Sequence, residues 1–203
     1  MKKLVIVCAV AMLCGCDFKS KKAESQTDSA VQSPKGNESA HETSSERELQ
    51  TKSGKRLTVA ESHPDGMSLS DISILPHGFD AQTPIEIKGV DPVSKIELGD
   101  LDHDGFEELY IYTQSAGSGS AGTVYAFASD KDKELKPIDC SLIGDTSAEE
   151  FKGYQGHDFF KLEGNSLART FPIYKESDVN ASPSGGKKTI RYKLVGLKLA
   201  AEK

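Results

Sequence analysis

Two short stretches of the chain carry residue types that can do chemistry. The first reads Asp100-Leu101-Asp102-His103-Asp104-Gly105-Phe106-Glu107-Glu108. Three carboxylates alternate in it, and Glu108 follows four residues after the third. Calcium takes roughly six to eight oxygen ligands and accepts a flexible loop. Alternation turns Asp100, Asp102 and Asp104 toward one centre. Gly105 permits the sharp turn, the Phe106 carbonyl offers a further oxygen, and Glu108 closes the shell. A structural Ca2+ is the ion predicted, because so acidic a loop repels itself without a cation. By the same alternation His103 points away and reads as a solvated surface residue. The competing reading is a turn, in which Asx side chains satisfy the loop backbone without any metal.

The second stretch is Gln114-Ser115-Ala116-Gly117-Ser118-Gly119-Ser120-Ala121-Gly122, nine residues with three Gly and three Ser. A phosphate cradle of this composition needs a helix and a Lys after it. A strand follows here, so that reading is rejected. A serine nucleophile, Ser118 or Ser120, needs a base and an orienter. His157, in Gly156-His157-Asp158, is the nearby base to consider, but the G-x-S-x-G pattern is met only in scrambled form. The chain is therefore read as a non-enzyme. The remaining reading is a protruding loop that enters another protein's cleft.

The acidic loop is not an EF-hand. The twelfth position, which that motif fills with a bidentate Glu, is Ile111, inside a predicted strand. The loop resembles instead the D-x-D-x-D-G loops between strands of integrin-type propeller repeats, in a single copy.

Strands must position both loops. Short runs of β-branched and aromatic residues alternate with turn residues at 56–60, 68–75 (ended by Pro76), 84–90, 94–98, 108–113, 123–129, 136–143, 157–162, 167–174 and 189–199. ELYIYT at 108–113 is the strongest signal, and Glu163-Gly164-Asn165-Ser166 marks a hairpin. One helical turn fits between Ser147 and Tyr154. The fold class predicted is all-β, an antiparallel β-sandwich of short strands over residues 55–203, preceded by an N-terminal disordered tether. The tether, 16–54 with the lipid-site cysteine, is polar and lacks aromatics beyond Phe18, so it cannot bury enough apolar surface to order itself. A short helix at 45–49 would be marginal. The polar loop 178–186 reads as structural, with a second contact as the other option.

Composition agrees with this division. The 203 residues are 36% hydrophobic, with no Trp and a net charge of -6, which excludes a basic nucleic-acid footprint. Met1-Lys2-Lys3 and the apolar Leu4–Gly15 are too short to span a bilayer and fit a signal segment, 1–15. Leu13-Cys14-Gly15-Cys16 resembles the bacterial lipobox, which implies acylation of Cys16 (palmitate among the chains) and anchoring to a membrane with the domain in the periplasm. An ordinary signal peptide is the alternative. Asp17 resembles an inner-membrane retention signal. Loss of Lys2 and Lys3 with residues 1–15 takes the net charge from -6 to -8. Cys8 and Cys14 leave with the signal and Cys16 is consumed by lipid, so Cys140 is left alone, a buried inert thiol in a predicted strand.

Three segments together are recognisable: GDLDHDGFEELYIYTQSAGSGSAGTVYAFAS, then GYQGHDFF, then RTFPIYKESDVNASPSGGKKTIRYKL. They resemble the periplasmic inhibitors of invertebrate-type lysozyme over about residues 90–195. The resemblance implies a β-sandwich and a lysozyme partner. It also implies a Gly/Ser loop that enters the substrate cleft, with Ser118 bonding near the catalytic acids. The target-binding set expected is Ser115, Gly117, Ser118, Gly119, Ser120 and Tyr125. Where the family has a Tyr three residues after that Ser, this chain has Ala121. Besides lysozyme and the bilayer, a homodimer is left open. The alternative reading is a non-inhibitory, calcium-stabilised envelope binding module.

Overall fold

Strand β6, Glu108–Gln114, is buried from Glu108 through Thr113, and this locates the middle of the molecule. A strand with one covered face alternates; a strand covered on both faces does not. The structure, a computed structural model, describes residues 44–64, 68–179 and 182–202. The signal segment, Cys16, Asp17 and tether residues 16–43 lie outside the described residues.

Among the described residues, twelve strands form three four-stranded antiparallel sheets, each a meander of consecutive strands. The first holds β1 (Ser44–Gln50), β2 (Arg56–Ser62), β3 (Ser70–His77) and β4 (Ile85–Val90). The second holds β5 (Val93–Gly99), β6, β7 (Gly122–Ser129) and β8 (Leu135–Ile138). The third holds β9 (Phe159–Glu163), β10 (Ser166–Pro172), β11 (Lys187–Val195) and β12 (Lys198–Ala201). The helical turn α1 (Ser141–Gly144) and a 3-10 turn (Glu149–Phe151) join the second sheet to the third. The predicted antiparallel β-sandwich is thus present, and it has three layers.

Two cores divide the apolar residues between them. Leu109, Ile111 and Phe127 of the second sheet pack with Leu57, Val59, Ile72 and Ile74 of the first. Tyr110, Tyr112, Val124 and Ala126 face the other way and pack with Phe160, Leu167, Tyr192 and Leu194 of the third. The alternation in ELYIYT therefore separates aliphatics from tyrosines, one core from the other. The buried tyrosine hydroxyls have partners: Tyr110 donates to Glu108 at 3.1 Å and Tyr112 to Glu97 at 2.8 Å.

Four readings of the sequence are corrected. Residues 44–50, expected in the tether with a marginal helix, are the edge strand β1. All seven pair with β2, and Leu49 packs beneath the first core; a backbone ladder needs no apolar pattern, so the polar sequence hid it. Pro76 does not end β3, which runs through His77. β4 pairs only along 70–74, so the missing N–H of Pro76 interrupts no ladder to it. The run 136–143 leaves the sheet after Ile138, and Ser141–Gly144 turn helical, helped by the Asp139 carboxylate accepting the Ser141 N–H at 2.9 Å. The run 189–199 is a hairpin, β11 and β12, turning at Gly196, whose φ is +59°.

Candidate functional site

The acidic loop joins β5 to β6. Oxygens of Asp100, Asp102, Asp104 and Glu108 all lie within 4.8 Å of one another. Ligands about 2.3–2.6 Å from a shared calcium lie at most roughly 5 Å apart, so the spacing fits such an ion. Several of these oxygens also close the turn. Asp102 Oδ1 accepts the Asp104 N–H at 3.1 Å, Asp104 Oδ1 accepts that of Phe106 at 2.8 Å, and Asp100 Oδ2 accepts that of Gly105 at 3.2 Å. The turn reading is thus a real feature, and the four carboxylates also stand close enough together to hold a metal ion. Asp100 Oδ1 is buried with no hydrogen-bond partner. Glu108 is 2% exposed and accepts the Leu101 N–H at 2.9 Å. Burial pushes its carboxyl up to about 7, Asp102 and Asp100 add repulsion, and the bonds from Leu101 and Tyr110 oppose the rise. A cation here would relieve both the orphaned oxygen and the crowded charge. Phe106 sits in the same turn, half-buried. His103 is exposed, with φ +59°. The sequence reading missed Glu107, which accepts the Lys52 N–H at 2.7 Å and ties this loop to the β1–β2 turn.

The Gly/Ser loop joins β6 to β7, at the opposite end of β6. It is closed at its base: the Ser115 N–H donates to Ala121 O and the Ala121 N–H to Ser115 Oγ, both at 2.9 Å. Inside, the Ser120 N–H reaches Gly117 O at 2.9 Å, and the Gln114 side-chain amide donates to Ser120 O at 3.2 Å. Ala116, Gly117, Ser118 and Ala121 are exposed, while Ser115, Gly119 and Ser120 are half-buried.

A second segment, Tyr154–Asp158, lies against this loop. The His157 backbone N–H donates to Gly119 O at 2.7 Å and Ser120 O at 3.1 Å. Gly156 has φ +93°, and a Cβ there would stand 1.8 Å from Gly119 O. The Asp158 carboxylate accepts the Gly122 N–H at 2.8 Å. The structure thus brings His157 to the loop through its backbone. Its ring stacks on Tyr174, centroids 6.3 Å apart, and its buried Nε2 has no hydrogen-bond partner.

Asp158 is in turn paired with a buried arginine. Arg169 Nε donates to Asp158 Oδ1 at 2.7 Å, with both side chains essentially out of solvent. Arg169 also donates to Ile143 O at 2.7 Å and to the Tyr154 hydroxyl at 2.9 Å. Tyr154 donates to Asp158 Oδ2 at 2.5 Å. The guanidinium carbon lies 4.9–5.9 Å from the ring centres of Phe151, Tyr154, Phe171 and Phe160. Sequence reasoning missed this network. The available signal was an arginine inside a largely apolar strand run, LARTF, with Asp158 upstream.

The remaining candidates stand apart. Tyr125 is in β7, half-buried against the core shared by the first and second sheets, and is not among the loop residues. The polar loop is closed by Asp178, whose carboxylate accepts the Lys175 and Ser184 N–H groups at 2.8 Å each. Residues 180–181 lie outside the described ones. Burial pushes the Cys140 thiol up to about 12. No known protein family matches this chain, and neither does any curated protein or solved structure.

Proposed function

We propose that this chain is a lipid-anchored periplasmic protein that binds and inhibits lysozyme, of the invertebrate type, by placing Ser115–Gly122 in the substrate cleft. The observation that carries the reading is the state of that loop. It joins two central strands, β6 and β7, is closed by its own hydrogen bonds, and has Ser118 in an exposed stretch. A loop already held in one shape loses little conformational entropy on docking. Lysozymes cleave with two carboxylates flanking the glycosidic bond. A hydroxyl and backbone N–H groups buried against such a carboxylate make charge-assisted hydrogen bonds. Cys16 fixes the protein to the membrane, and the acidic net charge speeds encounter with a basic enzyme. Ala121 supplies no aromatic anchor, so the affinity rests on the backbone and Ser118.

The test is protection of cell walls from lysis by invertebrate-, goose- and chicken-type lysozymes with the protein at micromolar concentration. Protection from the first supports the reading; protection from none overturns it.

The orphaned Asp100 Oδ1 favours a second reading for the other end of β6. There, Asp100, Asp102, Asp104, Glu108 and the Phe106 carbonyl hold a structural Ca2+. Its role is to fix the β5–β6 turn. Calorimetry of the protein with calcium and with EDTA decides it: an unchanged melting temperature removes the ion from the account.

A further inference from the structure

We infer that the docking element is a two-segment platform, Ser115–Gly122 together with Tyr154–Asp158, and that its face is built for a partner surface bearing carboxylates. This rests on the inhibitor reading for the partner's identity; the platform itself is argued from geometry.

Three contacts make the segments one body. His157 donates its backbone N–H to two consecutive loop carbonyls, Gly119 and Ser120. Gly156 lies so close to Gly119 that no side chain fits between them. Gly122 bonds to Asp158, and a Cβ on Gly122 would stand 2.6 Å from the Phe160 ring and 2.9 Å from Asp158 Cβ. The Asp158–Arg169 pair then fixes the position of the whole. A buried ion pair is often no more stabilising than apolar packing. Here it does a local task, because Oδ1 is held by Arg169 while Oδ2 carries the base of the loop.

Charge points to the partner. Asp158 is the one carboxylate in these thirteen residues, and it is buried and neutralised by Arg169. The exposed side chains are those of Ala116, Ser118, Ala121 and Gln155. In a chain of net charge -6, this is a face of small and amide side chains with no exposed carboxylate, so it does not repel an acidic cleft. Beside it a cavity of about 240 Å3, lined in part by Lys95, Gln114 and the exposed Phe159, continues the face.

Amide hydrogen exchange and lysozyme binding test the two parts separately. In full-length Asp158→Asn and Gly156→Ala, exchange at 117–122 should rise at least tenfold while Leu109 and Ile111 stay protected. Gly156→Ala leaves the ion pair intact, so it decides the matter if Asp158→Asn fails to fold. Wild-type protection of 117–122 in a folded variant overturns the platform. Gln155→Glu should weaken invertebrate-type lysozyme binding at least tenfold with loop exchange unchanged; unchanged affinity removes Tyr154–Asp158 from the contact. If the wild type binds no lysozyme, the partner assignment falls with the inhibitor reading, and the exchange data still decide whether the segments form one body.

Discussion

The two loops at the ends of β6 are held in opposite ways. The acidic loop is closed by its own side chains, with Asp100, Asp102 and Asp104 each accepting a backbone N–H a few residues on. That arrangement gathers negative charge and leaves one buried oxygen unsatisfied. The Gly/Ser loop carries no carboxylate of its own; its backbone groups bond to one another, to the Ser115 hydroxyl, and to a segment some 36 residues further along the chain, whose Asp158 carboxylate accepts the Gly122 N–H. A loop closed by its own carboxylates concentrates negative charge at a place where four of them could hold a cation. The Gly/Ser loop is closed without gathering charge at its surface, because the one carboxylate that holds it is buried against Arg169. The same strand therefore carries one end crowded with carboxylates and one end held mainly through backbone groups.

The largest expected effect breaks the second loop at its root. Arg169→Ala strands the Asp158 carboxylate in an apolar setting, at a cost of about 3–5 kcal/mol. Chemical denaturation should show this loss. A change under about 1 kcal/mol would mean that water or another donor replaces the guanidinium, and that the Gly/Ser end does not depend on it.

Next in size is calcium at the other end. Saturation at about 100 times Kd should add roughly 2.7 kcal/mol, seen as a higher melting temperature that EDTA reverses. Glu108 sets the pH dependence. Its carboxyl is raised to about 7, so the folded, calcium-free protein holds this proton more tightly than the unfolded chain does. The resulting stabilisation is present below about pH 4.5 and is lost as pH rises through about 7. Calcium must displace that proton, so its apparent affinity should fall roughly tenfold per pH unit below about 7. Isothermal titration at pH 5.5 and pH 7.5 checks the sign.

Ser118→Ala tests the Gly/Ser end directly. If its hydroxyl meets a carboxylate, the loss is about 1.5–3 kcal/mol, a tenfold to hundredfold weaker inhibition with unchanged stability. The same substitution should leave calcium binding alone, which separates the two ends of β6.

Much of this contrast was legible in the sequence, and the reason differs for each part. Both loops are local: Asp-x-Asp-x-Asp-Gly and the Gly/Ser run announce themselves in about nine residues each. The strands around them were legible where alternation or β-branching was strong. The third layer was not, because a centrally buried strand such as ELYIYT looks like an unusually good half-buried one. β1 was hidden because its seven pairs with β2 are backbone contacts that ask for no apolar pattern, and the Glu48–Arg56 ion pair across them is an exposed one. The support beneath the Gly/Ser loop was hidden for the same reason. Gly156 and Asp158 matter through what lies across from them, and sequence spacing does not record that.

The smallest expected effect concerns His103, inside the acidic loop. It is exposed, at φ +59°, a region that Asn enters readily, and it is not one of the residues whose oxygens cluster. His103→Asn should therefore change stability by no more than about 0.5 kcal/mol. It should also leave the calcium affinity where it was. A tenfold weaker affinity would make the imidazole part of the ion's surroundings. The loop would then mix nitrogen with oxygen donors, a set that suits a transition metal better than calcium. Unchanged affinity confines the ion's contacts to the oxygens of the alternating acids, Glu108 and the Phe106 carbonyl, and with them the difference between the two ends of β6.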